Sequence, residues 1–479
     1  MRSADAHIGM PMATGPENPS PEQIQHLIRL YSEGELSEAL VQARQLLQSY
    51  PKLSFLHNIQ GAALVGLGQF DAAIESYRQA LLIEPGDAKT YFNLGNALND
   101  SGDAAAAIHS YEQALMIQPD YVLAHVNLGN ACKDAGNLVQ AIQSYHHALE
   151  IDPNFAEVYN NLGNALKDKG DLEQAIASYR QALEIEPDYA QAHNNLGTAL
   201  KDKGELELAR TSYRQALEIK PDYADAAWNM VGTAEDMDDA EYWMRSCLAA
   251  DQDYLSAKIA LGVLEFFRGD RTGFDELMKS SLRDHPTMRS MEWVSTLPSL
   301  PKLYFQRWAF FDRAIELSIQ DRPFYEFGVF TGESFKYLIN AFGKGFGFDT
   351  FEGLPEDWGE EKAGSYSSGG NIPEAAGGEF IVGKFEDTLP SFFSEPRLLA
   401  SVINFDADLY SSTICALNFS KPVIDRHTIL IFDEFIVNEH WEQDEYKALN
   451  EFCVANNYTF EVLAVSFFTK QVAVKLVGV

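Results

Sequence analysis

Four carboxylates stand out in the C-terminal third of the 479-residue chain: Asp406 and Asp408 in FDADLY, and Asp433 and Glu434 in FDEF. Each pair follows a short apolar run of strand character, and the 27 residues between Asp406 and Asp433 suit strands that become neighbours in a sheet. Carboxylates gathered in one cleft repel each other unless a cation neutralises them. Hard oxygen donors with no His or Cys beside them suit Mg²⁺, which holds a hydroxyl oxygen, lowers its pKa and orients it. Asp408 equally suits capping a helix that starts near Tyr410. His440 and Trp441 follow the second acidic pair in a loop, where either would reach a substrate or simply face water.

The elements that must position these groups begin near Pro323. Short β-rich runs, PFYEFG, KGFGFD, GEFIVG, SVINFD, HTILIFD, NYTFEVLAV and KQVAVKL, alternate there with helical stretches. Several runs end in Gly or Asp, where a parallel α/β sheet places its site, so a doubly wound sheet is expected. The first run leads into Glu326-Phe-Gly-Val-Phe-Thr-Gly-Glu-Ser, with Gly328 and Gly332 four apart. The G-x-G-x-x-G spacing of dinucleotide enzymes is absent, which argues against an oxidoreductase. Asp349 ends the second run 23 residues after Glu326.

With FGFDTFEGLPEDW, GSYSSGGNIP, VGKFEDTLPSFF, INFDADLYSST and IFDEF in order, the chain from about Pro323 onward resembles the macrocin O-methyltransferase family. These are class I S-adenosylmethionine (SAM) enzymes acting on sugars and natural products. The resemblance implies a Rossmann-like class I methyltransferase domain in which Glu326, Gly328 and Gly332 surround the methionine portion of SAM. It places Asp349 on the ribose and Gly383, Phe385 and Asp387 near the adenine, although Asp387 equally suits capping the helix that follows. It also implies Mg²⁺, held by Asp406, Asp433 and Glu434, with Asp406 or Asp408 as general base and His440 as a base or acceptor contact. Glu434 is longer than the Asp or Asn of many relatives. The acceptor would be a hydroxyl on a small molecule, a glycan or a carrier-bound peptide. Segment 358–378, rich in Gly and Ser, has the length of a lid.

The first half of the chain is a comb. Prolines at 51, 85, 119, 153, 187 and 221 recur every 34 residues, glycines fall at 34, 68, 102, 136, 170 and 204, and Tyr77, Tyr111, Tyr145, Tyr179 and Tyr213 keep the same register. Each unit reads as two amphipathic helices joined at the glycine and ended by the proline. The pattern resembles the tetratricopeptide repeat (TPR). Repeats fall at 20–53, 54–87, 88–121, 122–155, 156–189 and 190–223. A seventh, about 224–254, lacks three residues, expected near Glu235 to Asp239, and an eighth spans 255–288. The expected architecture is α + α/β: a short disordered start (1–19), a right-handed α-superhelix (20–288), a linker and helix (289–321) and the methyltransferase domain (322–479).

Asn93, Asn127, Asn161, Asn195 and Asn229 occupy one first-helix position in consecutive repeats, resembling the peptide-binding superhelix of protein O-GlcNAc transferases. Carboxamides carry a donor and an acceptor, so a row of them suits the backbone of an extended peptide or protein partner. Asn96, Asn130 and Asn164 share that face, and Lys133, Lys167 and Lys201 along its edge favour an acidic ligand. Bridging between neighbouring helices is the alternative use for these amides. The same surface would serve a second subunit in a homodimer.

With 70 acidic against 36 basic residues, a net charge of −34, the chain repels nucleic acid and anionic membranes. Four dispersed cysteines, an N-terminus without an apolar core and no long apolar stretch point to a cytoplasmic protein. The leading expectation is a SAM- and Mg²⁺-dependent O-methyltransferase whose repeats recruit substrate or partner. The rival is a TPR adaptor whose methyltransferase-like domain is catalytically silent.

Overall fold

The computed structural model describes residues 18–356, 363–365 and 367–478. The expected unstructured start lies outside these residues apart from positions 18–19. Two compact units meet between Ser212 and Tyr213, inside the helix Leu206–Ile219.

The first unit is a run of helical hairpins. Pro21–Ser32 pairs with Leu36–Ser49, Ser54–Gly66 with Phe70–Ile83, and Ala88–Asp100 with Ala104–Ile117. Val122–Asp134 pairs with Leu138–Ile151, Ala156–Asp168 with Leu172–Ile185, and Ala190–Asp202 opens a sixth hairpin. The turn glycines adopt left-handed backbone, φ 88° at both Gly102 and Gly170, which closes each first helix without a Cβ clash. A second glycine in each first helix makes room for the tyrosine of the second: a Cβ on Gly129 would stand 2.5 Å from the Tyr145 ring. The repeat-ending prolines gain a role absent from the expectation. His57, His125 and His193 bond through Nε2 to the carbonyls of Pro51, Pro119 and Pro187, at 3.1, 3.0 and 2.9 Å.

The second unit opens with two further hairpins, Ala224–Val231 with Met237–Ala250 and Leu255–Phe267 with Thr272–Met278, then the helix Pro286–Ser295. The seventh hairpin's first helix has 8 residues where its predecessors have 13. The expected shortening thus falls where that helix stops at Val231 and the next starts at Met237 on an Asp236 cap.

Eight strands follow: β1 (Lys302–Leu303), β2 (Phe324–Phe327), β3 (Gly345–Asp349), β4 (Gly378–Val382), β5 (Val402–Phe405), β6 (Ile429–Phe432), β7 (Thr459–Val465) and β8 (Val472–Val477). They form one sheet in the order β1-β7-β8-β6-β5-β2-β3-β4, in which only β8 pairs antiparallel with its neighbours. One sheet face carries Tyr325, Phe327, Ile403, Phe405 and Leu430, in the same core as Ile259 and Val263 of the eighth hairpin and Met288 and Val294 of the helix that follows it. The other face buries Phe324, Val402 and Ile431 under Phe310, Phe311 and Leu338 of the helices Arg307–Leu317 and Glu333–Phe342. Both faces are covered, as a parallel sheet requires. No described helix is long and apolar enough to cross a membrane.

Candidate functional site

β2 and β5 are neighbours, yet the chain leaves them for opposite edges of the sheet, and such a switch point opens a crevice at the carboxyl ends of the strands. A cavity of about 340 Å³ lies there. Gly328 and Phe330 after β2, Asp349 ending β3 and Phe385 after β4 line one part of it. Asp406 and Asp408 after β5, and Asp433 and Glu434 after β6, line the other, so all four expected carboxylates meet in one cleft. Thr350, Leu354, Pro355, Lys384 and Ser412 complete much of the wall.

Asp349 is fixed before any ligand arrives. Its Oδ2 accepts the N–H groups of Val329 and Phe330 at 2.6 and 2.8 Å, and its Oδ1 accepts Phe351 N–H at 2.7 Å. The carboxylate thereby anchors the glycine loop and still presents an edge to the cavity. Gly328 (φ 87°) is a glycine for a local reason: a Cβ there would lie 1.8 Å from the Asp406 carbonyl oxygen. Phe385 stacks edge-on against Phe327 at 5.6 Å and exposes an apolar surface to the cavity.

Arg307, which the sequence reading did not single out, reaches the acidic end. Its Nη2 lies 3.2 Å from both Asp406 Oδ2 and Asp433 Oδ1. Gln471 donates to Asp433, and Lys470 Nζ meets the two oxygens of Glu434 at 3.1 and 3.0 Å. The last repeats support this arrangement. Gln306 Nε2 donates to the Thr233 and Ala234 carbonyls at 2.7 and 3.0 Å, just past the truncated helix, and Phe468 packs against Trp228 and Phe305.

Burial and mutual repulsion govern the charges. Burial, then Asp433 and Glu434, push Asp408 up to about 7 against the pull of Lys470. Burial and Asp433 hold Asp406 well above the carboxylate range, opposed by Arg307. Burial opposes the charge on Arg307, but Asp433 and Asp406 hold it protonated beyond its ordinary value. Burial raises Glu326 to about 8 despite the Ser334 hydroxyl donating to its Oε1 at 2.6 Å.

The expected Mg²⁺ ligands have cations of the chain itself beside them. Asp406 and Asp433 share the Arg307 guanidinium and Glu434 faces the Lys470 ammonium. Among the described residues no three His, Cys, Asp or Glu side chains group to hold a metal. Four expected cofactor residues and one expected acceptor contact lie away from the cavity wall. Glu326 is fully buried and does not line the cavity, nor do Gly332, Gly383 and Asp387. Gly332 instead starts the Glu333–Phe342 helix in left-handed backbone, and Gly383 donates to the Asp349 carbonyl at 2.9 Å. Asp387 sits in the first turn of the Phe385–Phe392 helix, which has no side-chain cap bond, and Asp408 likewise caps nothing. His440 is exposed and outside the cavity wall, while Trp441 is buried against Trp293 and Tyr446. Residues 358–362 and 366 of the expected lid lie outside the described residues. Of the remainder, Ser365 accepts Leu354 N–H at 2.8 Å, which fixes the cavity wall.

In the repeats the asparagine ladder is half-buried and partly engaged. Asn127 donates to Asn96 Oδ1 at 2.8 Å, Asn161 to Asn130 Oδ1 at 3.4 Å, and Asn195 to Asn160 Oδ1 at 2.9 Å. Tyr111, Tyr145 and Tyr179 hydroxyls donate to Asn96, Asn130 and Asn164 at 2.8, 2.7 and 2.8 Å. Bridging between successive first helices is thus one use of these amides. Asn93 and Asn229 are half-buried as well. Lys133 pairs with Asp134 at 3.1 Å, and Lys201 and Lys167 act on Asp202, so the groove edge is of mixed charge.

The TPR-repeat family model matches residues 61–102, 95–136, 129–170, 163–204 and 197–230. These residues form a tetratricopeptide-repeat array. Among solved structures, MamA is 27% identical, covering 34% of this chain and 96% of its own, with a TM-score of 0.33. YrrB, described as a TPR protein with an unusual peptide-binding site, is 21% identical over 38% of this chain and 95% of its own, with a TM-score of 0.35. The C-terminal part of a TPR protein from Cytophaga hutchinsonii is 18% identical over 49% and 97%, with a TM-score of 0.42. No curated protein matches the chain.

Proposed function

We propose that the chain is a SAM-dependent O-methyltransferase whose TPR array holds a peptide or protein partner that brings or carries the acceptor. The observation that carries the catalytic half is the cavity at the β2/β5 switch point. The five adjacent parallel strands, β4-β3-β2-β5-β6, follow the 3-2-1-4-5 order of doubly wound nucleotide-binding sheets. The lining suits a nucleoside-bearing cofactor: Asp349 for the ribose hydroxyls, and Phe385 with Leu354 and Pro355 for a flat base. Bound SAM would supply an electrophilic methyl group on a sulfonium. The chain's own part is to orient the acceptor hydroxyl and take its proton. Asp408, at the cavity wall with its carboxyl held near 7, is suited to that exchange, and Arg307 keeps Asp406 and Asp433 in place beside it. No step is assigned to a metal, given the pairing of the three expected ligands.

A second reading is favoured by a specific finding: the family match covers the repeats alone, and TPR arrays are characteristically partner-binding. On that reading the chain is an adaptor, its sheet unit is silent, and Arg307 neutralises a disused site. Incubation of the full chain with methyl-labelled SAM and an extract of the source cells separates the two. Transfer of label to an extract component, lost with Gly328→Ala, supports the enzyme. Absence of transfer from every extract fraction favours the adaptor.

A further inference from the structure

Two separate links join the seventh hairpin to the strand ends that carry the cleft carboxylates. The first is Gln306, the residue before Arg307, whose Nη2 lies 3.2 Å from both Asp406 and Asp433. Gln306 Nε2 donates to the carbonyls of Thr233 and Ala234 at 2.7 and 3.0 Å, just past the Ala224–Val231 helix. The second is the turn 466–471 between β7 and β8, closed by the Ser466 N–H donating to the Gln471 carbonyl at 2.9 Å. At its tip Phe467 packs on Phe267 of the eighth hairpin at 6.3 Å, and Phe468 lies 5.5 Å from both Trp228 and Phe305. At its end Lys470 meets Glu434 at 3.0 Å and Gln471 donates to Asp433. Lys470 holds left-handed backbone, φ 60°, a conformation that a lysine keeps when its surroundings impose it.

We propose that the seventh hairpin is a control element of the cleft: Gln306 and Phe468 are positioning residues that carry contact at Trp228 and Asn229 to Arg307, Lys470 and Gln471. Binding of an extended peptide on that helix and binding of a ligand at the switch point are thereby coupled. Asn229 is the last position of the asparagine ladder and Trp228 precedes it, and both are half-buried, so a peptide reaches them. On the other side, Asp406 and Asp433 repel each other, and the position of Arg307 decides how closely their strand ends approach. A charge-assisted hydrogen bond is short and directional, so a small displacement of Gln306 or of the 466–471 turn weakens it. The route is a continuous chain of packed rings and hydrogen bonds, and energetic coupling along such a chain acts in both directions. The peptide and the cavity ligand rest on the proposed function; the two links do not.

Hydrogen exchange of the full chain, read by mass spectrometry, tests the coupling. The reporters are peptides 404–409 and 432–437, where the Asp406, Asp433 and Ile436 N–H groups donate to the carbonyls of Phe327, Phe405 and Lys470 at 2.8, 3.0 and 3.3 Å. Gln306→Leu is expected to speed exchange in both reporters about tenfold with circular dichroism unchanged, whereas Gln306→Lys, which still offers donors to the two carbonyls, exchanges as wild type does. In an Arg307→Ala background Gln306→Leu should add less than about twofold, because its effect passes through Arg307; a merely structural role adds the same factor in both backgrounds. Phe468→Ala should repeat the pattern in 432–437, with its effect absorbed by Lys470→Ala. In the reciprocal direction, millimolar SAM should slow exchange in residues 224–236 of the wild type and not of Gln306→Leu. Unchanged reporters in either single variant, or full additivity with Arg307→Ala, overturn the proposal. SAM that binds by calorimetry without protecting 224–236 also overturns it and spares the methyltransferase reading. Reporter changes as expected in a chain that binds no SAM uphold the coupling and refute that reading.

Discussion

Glu326 shows how a residue that opens a glycine loop can serve the fold before the ligand. It is fully buried, receives the Ser334 hydroxyl, and is raised by burial to about 8. The folded state therefore holds a proton that the unfolded chain releases near 4.5. The stability from this group is fully present below that unfolded value and is lost as pH rises through about 8. Glu326→Gln keeps an acceptor for Ser334 and removes the buried charge. At pH 8.5 it is expected to melt about 2–8 °C above wild type, at roughly 2–4 °C per kcal/mol for a unit of this size, with no gain at pH 5. Melting by circular dichroism across pH checks this, and a variant less stable at pH 8.5 contradicts it. The sequence announced Asp349, Asp406, Asp433 and Glu434, because acids at strand ends are visible in the chain. Burial is not visible there, so Glu326 read as a ligand. Arg307 and Lys470 stayed hidden because nothing local marks a cation that lies 99 residues from Asp406 or 36 from Glu434.

At the scale of the element, the hairpins were legible because their glycines answer to local geometry. Gly129 lies beneath the Tyr145 ring, and the Tyr145 hydroxyl reaches Asn130. Gly129→Ala forces that ring to move and is expected to cost about 1–3 kcal/mol in urea unfolding, as overpacking does. A loss within about 0.3 kcal/mol would mean that the close approach is not required. The opposite case is the seventh hairpin. Its shortening was visible as a broken 34-residue register, but its consequence was not. By stopping at Val231 it exposes the carbonyls of Thr233 and Ala234 to Gln306, which precedes Arg307. Phe468, packed on Trp228, sits two residues before Lys470. A lost turn of helix therefore helps to place both cations of the site.

At the scale of the molecule, the eighth hairpin and the helix Pro286–Ser295 share a core with the sheet: Ile259, Val263, Met288 and Val294 pack with Tyr325 and Phe327. A boundary read from the end of the repeat pattern falls at 288, whereas the compact unit begins at Tyr213. Periodicity records how a helix pair is built, and burial records what it is built against. A fragment of residues 190–479 is accordingly expected to unfold cooperatively with SAM affinity close to that of the full chain. A fragment of residues 289–479, stripped of that core, should lack a cooperative transition. Equal cooperativity of the two fragments would place the boundary where the pattern ends.

SAM is expected to bind at the β2/β5 switch point. Isothermal titration of the full chain with SAM addresses it most directly, with Gly328→Ala as the control whose Cβ would strike the Asp406 carbonyl and deform the loop. The wild type is expected to bind SAM one-to-one, with affinity weakened at least about tenfold in a Gly328→Ala protein that remains folded. Absence of binding at millimolar SAM, with the wild type folded by circular dichroism, would contradict it.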